Sequence, residues 1–386
     1  MEKFSRTLTL RSSIFLGLSS MIGAGLFLNI APTAKIASYS LILGLIMAST
    51  VAFANASSSA QLARLYPQTG GTYLYAKNVL GKIPSLIAGY SFIIGKSISC
   101  VAIALTLGNY ISPMYPEYSG ILVIIIVTSI SYFGIVKTVS IAKWFVYTLI
   151  GILIFYIISI ASSETFNIQI PITEGLTLKG FLVSTYIWFF AFTGYSRLAT
   201  FGEEIKNPKE IIPTAIFTGL GITILVYLMI TWLTLSIVSP NIIMNSSTPL
   251  LVAMDVSRFS EFTFLIVFAS SIAMVSVFLA LMPGISRIYV ALSRDKILPE
   301  AFSKIHKKFN SAYFSEAFVL ISVIIGIYSF DVVGSIKISS FFILVYYTIT
   351  NLCVIRLDKE KRLYSVGIAY FGFALCIVLA IALVVL

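Results

Sequence analysis

Apolar runs of helix length recur eleven times along the chain, at about residues 12–35, 40–62, 83–110, 120–138, 142–162, 178–200, 211–237, 262–290, 314–330, 335–355 and 363–386. About 20 apolar residues suffice for a helix to cross a bilayer. The polar stretches between the runs are short, the longest on one side falling at about 163–177 and 238–261. Little chain remains for a soluble domain. The pattern predicts an all-α polytopic membrane protein, a single transmembrane domain surrounded by lipid.

Two of the runs are interrupted. In the first, Ser19-Ser20-Met21-Ile22-Gly23-Ala24-Gly25-Leu26-Phe27 sets two glycines around one small residue. In the sixth, Phe189-Phe190-Ala191-Phe192-Thr193-Gly194 weakens the helix. Weakened helices five spans apart predict a core of two inverted five-helix repeats with helices 1 and 6 broken. The first repeat would cover 12–162 and the second 178–355, with 363–386 as an extra helix. Unwound backbone at membrane depth is tolerated where it lines a cavity or is buried in protein, so the two interruptions form a candidate binding site. Close helix packing is the alternative reading of the glycines.

Composition agrees with the pattern. The chain is 58% hydrophobic and 11% charged, where soluble domains carry about 25% charged residues. A net charge of +11 could signal nucleic acid, but its distribution argues against that partner. With the N-terminus inside, 20 of the 26 Lys and Arg residues fall on one side, from Lys3, Arg6 and Arg11 to the groups at 287–308 and 356–362. Four (Lys35, Lys179, Arg258 and Lys337) fall on the other. This bias places the N-terminus in the cytoplasm, and an odd span number then places Leu386 outside.

Other chemistry is sparse. The first run exceeds the 7–15-residue core of a signal peptide and holds a break that makes sense only if it is retained. Cys100, Cys353 and Cys376 lie in spans and read as small apolar fillers. No span holds a Cys/His/Asp/Glu cluster, so neither metal nor haem has visible ligands, and no other cofactor is expected. No nucleophile–base pair marks an enzyme. The only histidine, His306, sits in a lysine-rich loop and is expected to be solvated.

Several motifs now carry a resemblance. Ile22-Gly23-Ala24-Gly25-Leu26-Phe27 resembles the opening signature of the amino acid–polyamine–organocation (APC) superfamily. Phe190-Ala191-Phe192-Thr193-Gly194-Tyr195, followed by Gly202-Glu203-Glu204-Ile205-Lys206-Asn207-Pro208 and Ile212-Pro213, is similar to its amino acid permeases. Ser286-Arg287 and Ser293-Arg294-Asp295-Lys296-Ile297-Leu298-Pro299 resemble their motif after the eighth span, and Pro67-Gln68-Thr69-Gly70-Gly71-Thr72-Tyr73 the one after the second. The superfamily commonly has twelve spans, one more than are counted here.

The resemblance implies a LeuT-like transporter whose substrate lies between the breaks. The backbone at Met21, Ile22, Gly23, Ala24 and Gly25 would receive the substrate carboxylate. Carbonyls of Phe189, Phe190, Ala191, Phe192 and Thr193, next to Gly194, would accept its ammonium. Phe190 stands where the superfamily often places a gating aromatic. Ser196 stands where some carriers of cationic substrates place an acid. Arg197 would pair with Glu203 or Glu204 in an inner gate.

Charge inventory sharpens the expectation. None of the fifteen Asp and Glu residues falls near a span centre, so neutral amino acids fit better than cationic ones. Lys96, near the middle of the third span, is the exception to an apolar interior. An intramembrane charge is a functional hypothesis by default; Lys96 is a candidate proton carrier or a fixed substitute for a coupling cation, with H+ preferred over Na+. Its structural alternatives are snorkelling and pairing with helix carbonyls. The resulting expectation is a secondary transporter of the cell membrane moving an amino acid by alternating access, by symport or antiport. The rival readings are a polyamine or amino acid exchanger, a membrane sensor, and a subunit of a larger complex. The sequence leaves the oligomeric state open.

Overall fold

Every predicted apolar run forms a helix or a pair of shorter ones. The computed structural model describes residues 4–385; Lys3 and Leu386, both used in the charge argument, lie outside the described residues. Span 1 is divided into half-helices Leu10–Met21 and Ala24–Ala37, and span 6 into Leu178–Phe192, a 3₁₀ turn at Thr193–Tyr195 and Ser196–Thr200. Spans 2 to 5 are Leu41–Leu65, Lys82–Ile111, Pro116–Tyr132 and Ile135–Ala161. Spans 7 to 11 are Pro208–Ile237, Phe264–Arg294, Tyr313–Ser329, Val332–Arg356 and Val366–Val385. Spans 4 and 9 are the short apolar helices of the set. Short helices Pro240–Ile243 and Pro249–Asp255 occupy the stretch expected to be a plain loop at 238–261.

Both broken spans start alike. Thr9 caps the first, its hydroxyl accepting from the Ser12 N–H at 3.3 Å, and Thr177 caps the sixth, accepting from Gly180 at 3.0 Å. Each cap satisfies one of the N–H groups that a helix start leaves without an intrahelical acceptor.

Helix packing follows the repeat. Span 2 lies against span 6 and span 7 against span 1, with spans 2 and 7 also in contact, which makes 1, 2, 6 and 7 one bundle. In the rest, span 3 packs on span 10 as span 8 packs on span 5, and span 3 on span 4 as span 8 on span 9. Exchanging 1–5 for 6–10 carries each contact into its counterpart, as two inverted five-helix repeats require. Span 11 packs against spans 10 and 2. The three cysteines are buried and free.

One end of the molecule collects the basic loops and is called the basic end below. There Leu8 bridges to Ile205: Lys206 N–H donates to the Leu8 carbonyl at 2.8 Å, and the Thr7 and Leu8 N–H groups both donate to the Glu204 carbonyl at 2.9 Å. The approach to span 1 is thereby tied to the loop after span 6. His306, expected to be solvated, is instead half-buried and stacked on Phe309, with ring centroids 4.8 Å apart. Its ring offers apolar area that the lysine-rich loop folds over.

Candidate functional site

The first break is a true interruption. The half-helix ending at Met21 is closed by the Ile22 N–H bonding to the Leu18 carbonyl at 2.7 Å. Gly23 then adopts φ −164° and ψ −124° and caps the next half-helix with no side-chain hydrogen bond. Leu26 N–H bonds back to the Gly23 carbonyl at 3.2 Å, which leaves the Ala24 and Gly25 N–H groups at the start of the half-helix without intrahelical acceptors. A Cβ on Gly23 would overlap Val277 of span 8, and one on Gly25 would overlap Ala191 and lie 2.9 Å from the Tyr227 hydroxyl. These glycines are required by close approach, and one approach is to the other broken helix.

The sixth-span break differs from the expectation. Phe189 to Phe192 remain α-helical, and the irregularity is the 3₁₀ turn at Thr193–Tyr195. The backbone tightens there without unwinding: Phe192, Tyr195 and Ser196 keep right-handed helical angles, and Thr193 departs from them only to φ −68° and ψ 3°. The carbonyls of Phe189 to Phe192 are therefore not a row of open acceptors. Gly194 lies against the first break; a Cβ on it would overlap the Ser20 carbonyl oxygen and lie 2.6 Å from Met21 Cγ. The Ser20 hydroxyl donates to the Gly194 carbonyl at 3.0 Å.

Lys96 reaches this turn. It is fully buried, and its Nζ donates to the Thr193 carbonyl at 3.0 Å and the Thr193 hydroxyl at 2.7 Å. Ser196 donates to the same carbonyl at 2.9 Å. The acceptor expected to hold a substrate ammonium thus already holds one from the protein. Arg197, 4% exposed, donates through NH1 to the Ser20 carbonyl at 3.2 Å, at the C-terminal end of the first half-helix. Its Nε is buried with no partner.

Between the breaks lies a cavity of about 20 Å³, room for about one water. Met21 and Gly25 line it from span 1, and Phe190, Ala191, Thr193 and Arg197 from span 6. Ser20, Ser99, Ile103 and Val277 complete the wall. Ile22, Gly23, Phe189, Phe192 and Gly194 are not among the lining residues. Phe189 turns instead to Tyr347 and Phe192 to Tyr227, with ring centroids 5.9 and 5.2 Å apart. The site is closed in this conformation.

The expected pairing of Arg197 with Glu203 or Glu204 does not form. Span 8 supplies their partners: Arg294 meets Glu203 at 2.8 Å and Arg287 meets Glu204 at 2.7 Å. Arg287 also reaches Glu316 of span 9 at 3.3 Å and stacks on Phe4, 4.5 Å from its ring centre. Burial pushes the Glu204 carboxyl above the usual carboxylate range, against the pull of Arg287. The physical reason for the difference is reach, since Arg197 turns inward to the break while both glutamates lie at the basic end.

Comparison with known proteins decides the family. The chain matches the amino acid permease family over residues 12–386. It belongs to that family. An uncharacterized transporter of Mycobacterium tuberculosis is 34% identical to this permease over 383 residues, covering 99% of this chain and 87% of the relative. A serine/threonine exchanger of Bacillus subtilis is 25% identical over 384 residues, with coverage of 93% and 86%. A methylthioribose transporter of the same species is 24% identical over 384 residues, with coverage of 93% and 82%. The crystal structure of MhsT in complex with L-phenylalanine superposes with a TM-score of 0.69 at 15% identity, covering 100% of this chain and 99% of the other. That likeness establishes the LeuT-like fold of the permease. Family membership and its long apolar helices make it a multi-pass membrane protein.

Two contributors to the site escape a sequence reading. Tyr227 of span 7 donates its hydroxyl to the Met21 carbonyl and faces the Gly23 backbone. Ser99 lies one helical turn from Lys96, where spacing alone could have placed it, and bonds to Ser339 at 2.6 Å. A tyrosine in an apolar span offers no local signal of this kind, because tyrosines are common at packing and interface positions.

Proposed function

We propose that this permease is a secondary active transporter of the cell membrane that carries amino acids without a cationic side chain by alternating access. The bundle of spans 1, 2, 6 and 7 moves against the rest around the cavity between the two breaks, with repeat boundaries at 12–162 and 178–355. The N-terminus and the basic end face the cytoplasm, which the charge bias supports. The observation that carries the substrate reading is the pair of buried cations at the break, Lys96 and Arg197, with no carboxylate bonded to either among the described residues. A polyamine or an arginine would meet like charge there and no counterion. The amino acid part rests on the family and on the N–H groups at the start of the half-helix Ala24–Ala37, which lack intrahelical acceptors and suit a carboxylate.

Lys96 is the coupling residue in this reading. Its ammonium links the third span, outside the moving bundle, to Thr193 within it, so gain or loss of that bond accompanies the motion. Phe190 covers the cavity as a gate, and Glu203 and Glu204 close the basic end with the arginines of span 8. Exchange of one amino acid for another is the second reading, favoured by the likeness to the serine/threonine exchanger. Purified protein in proteoliposomes, given a labelled amino acid mixture with and without an inward proton gradient, tests both. Gradient-driven uptake that becomes gradient-independent in Lys96→Met supports coupling through Lys96. Uptake only after preloading the lumen establishes exchange, and no uptake of any amino acid from folded protein ends the proposal.

A further inference from the structure

The charges around the cavity do not balance, and the imbalance points to the substrate. We propose that the site selects an amino acid with a second carboxylate on its side chain, received by Arg197. This deepens the reading above and rests on it.

Arg197 keeps its charge under all ordinary conditions, and its guanidinium has five N–H donors. One of them is used, on the Ser20 carbonyl at 3.2 Å, while Nε is buried with no partner. Capping the C-terminal end of the first half-helix explains the used donor. It does not explain burying a guanidinium away from any anion, which costs several kcal/mol when the charge is uncompensated. The hydroxyls beside it offer no relief: Ser20 is turned to the Gly17 and Gly194 carbonyls, and Ser99 to Gly95 and Ser339. Lys96 adds a second protein donor at the same turn. The half-helix start at Ala24 adds a partial positive charge on the same side of the cavity.

An amino acid with a neutral side chain satisfies only the last of these. Its α-carboxylate meets the Ala24 and Gly25 N–H groups, and its ammonium neutralises no cation of the site. A dicarboxylic amino acid places one carboxylate on the half-helix and the other on Arg197, whose planar guanidinium donates two parallel hydrogen bonds to it. Net charge then falls beside Arg197, which no carboxylate of the described residues reaches. The cavity must widen to admit such a ligand, which is the movement that alternating access already entails.

The experiment compares acids with their own amides, which match them in shape. Purified protein in proteoliposomes is assayed for uptake of L-glutamate and L-aspartate against L-glutamine and L-asparagine, and in detergent for ligand-induced thermal shift. The expected result is a preference for the acids of about tenfold or more. Arg197→Gln removes that preference in the thermal shift of the folded protein, and Arg197→Lys keeps part of it. Amides handled as well as acids in the wild type overturn the proposal, whatever the variants do. So does an acid preference that survives in folded Arg197→Gln. If neutral amino acids are transported and acids are not, this inference fails and the transport reading stands. If no amino acid is transported, both fail.

Discussion

Two arginines are buried among the described residues of this bundle, Arg197 and Arg287, and the protein treats them in opposite ways. Arg287, at the basic end, donates to Glu204 at 2.7 and 3.1 Å, to Glu316 at 3.3 Å and to the Ser286 hydroxyl at 3.1 Å, with the Phe4 ring over its face. Arg197, beside the break, has one carbonyl. The first guanidinium is neutralised by the chain; the second has no carboxylate partner among the described residues. The partners of Arg287 come from the loop after span 6 and from span 9, so its network ties spans 6, 8 and 9 together.

The contrast predicts unequal responses to the same change. Arg287→Gln strands Glu204 and Glu316 as buried carboxylates without a cation, and breaking such a buried pair costs about 3–5 kcal/mol. Arg197→Gln strands no acid and removes an uncompensated buried charge, so no loss of stability is expected. Thermal or denaturant unfolding in detergent measures both; equal losses in the two variants would erase the distinction drawn here.

A second change tests whether the breaks must touch. Gly194→Leu forces a side chain into the Ser20 carbonyl against which Gly194 packs, and overpacking of this kind costs about 1–3 kcal/mol. Transport is expected to fail even where protein is recovered, since the bond between Ser20 and Gly194 is lost. Wild-type uptake from this variant would show that the contact is dispensable.

The smallest effect sets the baseline for charge at the basic end. Lys77 and Asp295 form an ion pair at 2.6 Å with both side chains partly exposed, 46% and 26%. Exposed pairs contribute about 0–1 kcal/mol and are screened by salt. Asp295→Asn is therefore expected to change stability by less than about 1 kcal/mol, and by less still at high salt. A loss comparable to that of Arg287→Gln would mean that burial is not what separates these sites.

Legibility differed from one part of the site to another. The first break was visible because Gly23 and Gly25 stand out in an apolar run, and glycine is the residue that close backbone approach demands. The sixth was visible only in outline. The cluster Phe189-Phe190-Ala191-Phe192 disfavours nothing in a membrane helix, and the chain stays helical through it before tightening at Thr193. Lys96 stood out because charge at membrane depth is rare, yet its choice of Thr193 lies 97 residues away in the chain. Glu203 and Glu204 were assigned to Arg197, while the partners they meet, Arg287 and Arg294, stand in a separate motif with nothing local to join the two.

By itself the sequence determined the eleven spans, the positions of the two weak helices and the sidedness of charge. All three are local or cumulative properties: a run of apolar residues, a glycine pair, a count of lysines and arginines along loops. Tertiary structure alone decided which residues meet: Lys96 with Thr193, Arg197 with Ser20, Tyr227 with Met21, and the glutamates with span 8. Such pairings depend on how each helix is rotated about its axis when it packs. In a helix hydrophobic nearly all round, no apolar stripe records that rotation, so it is settled only when neighbouring helices close on one another.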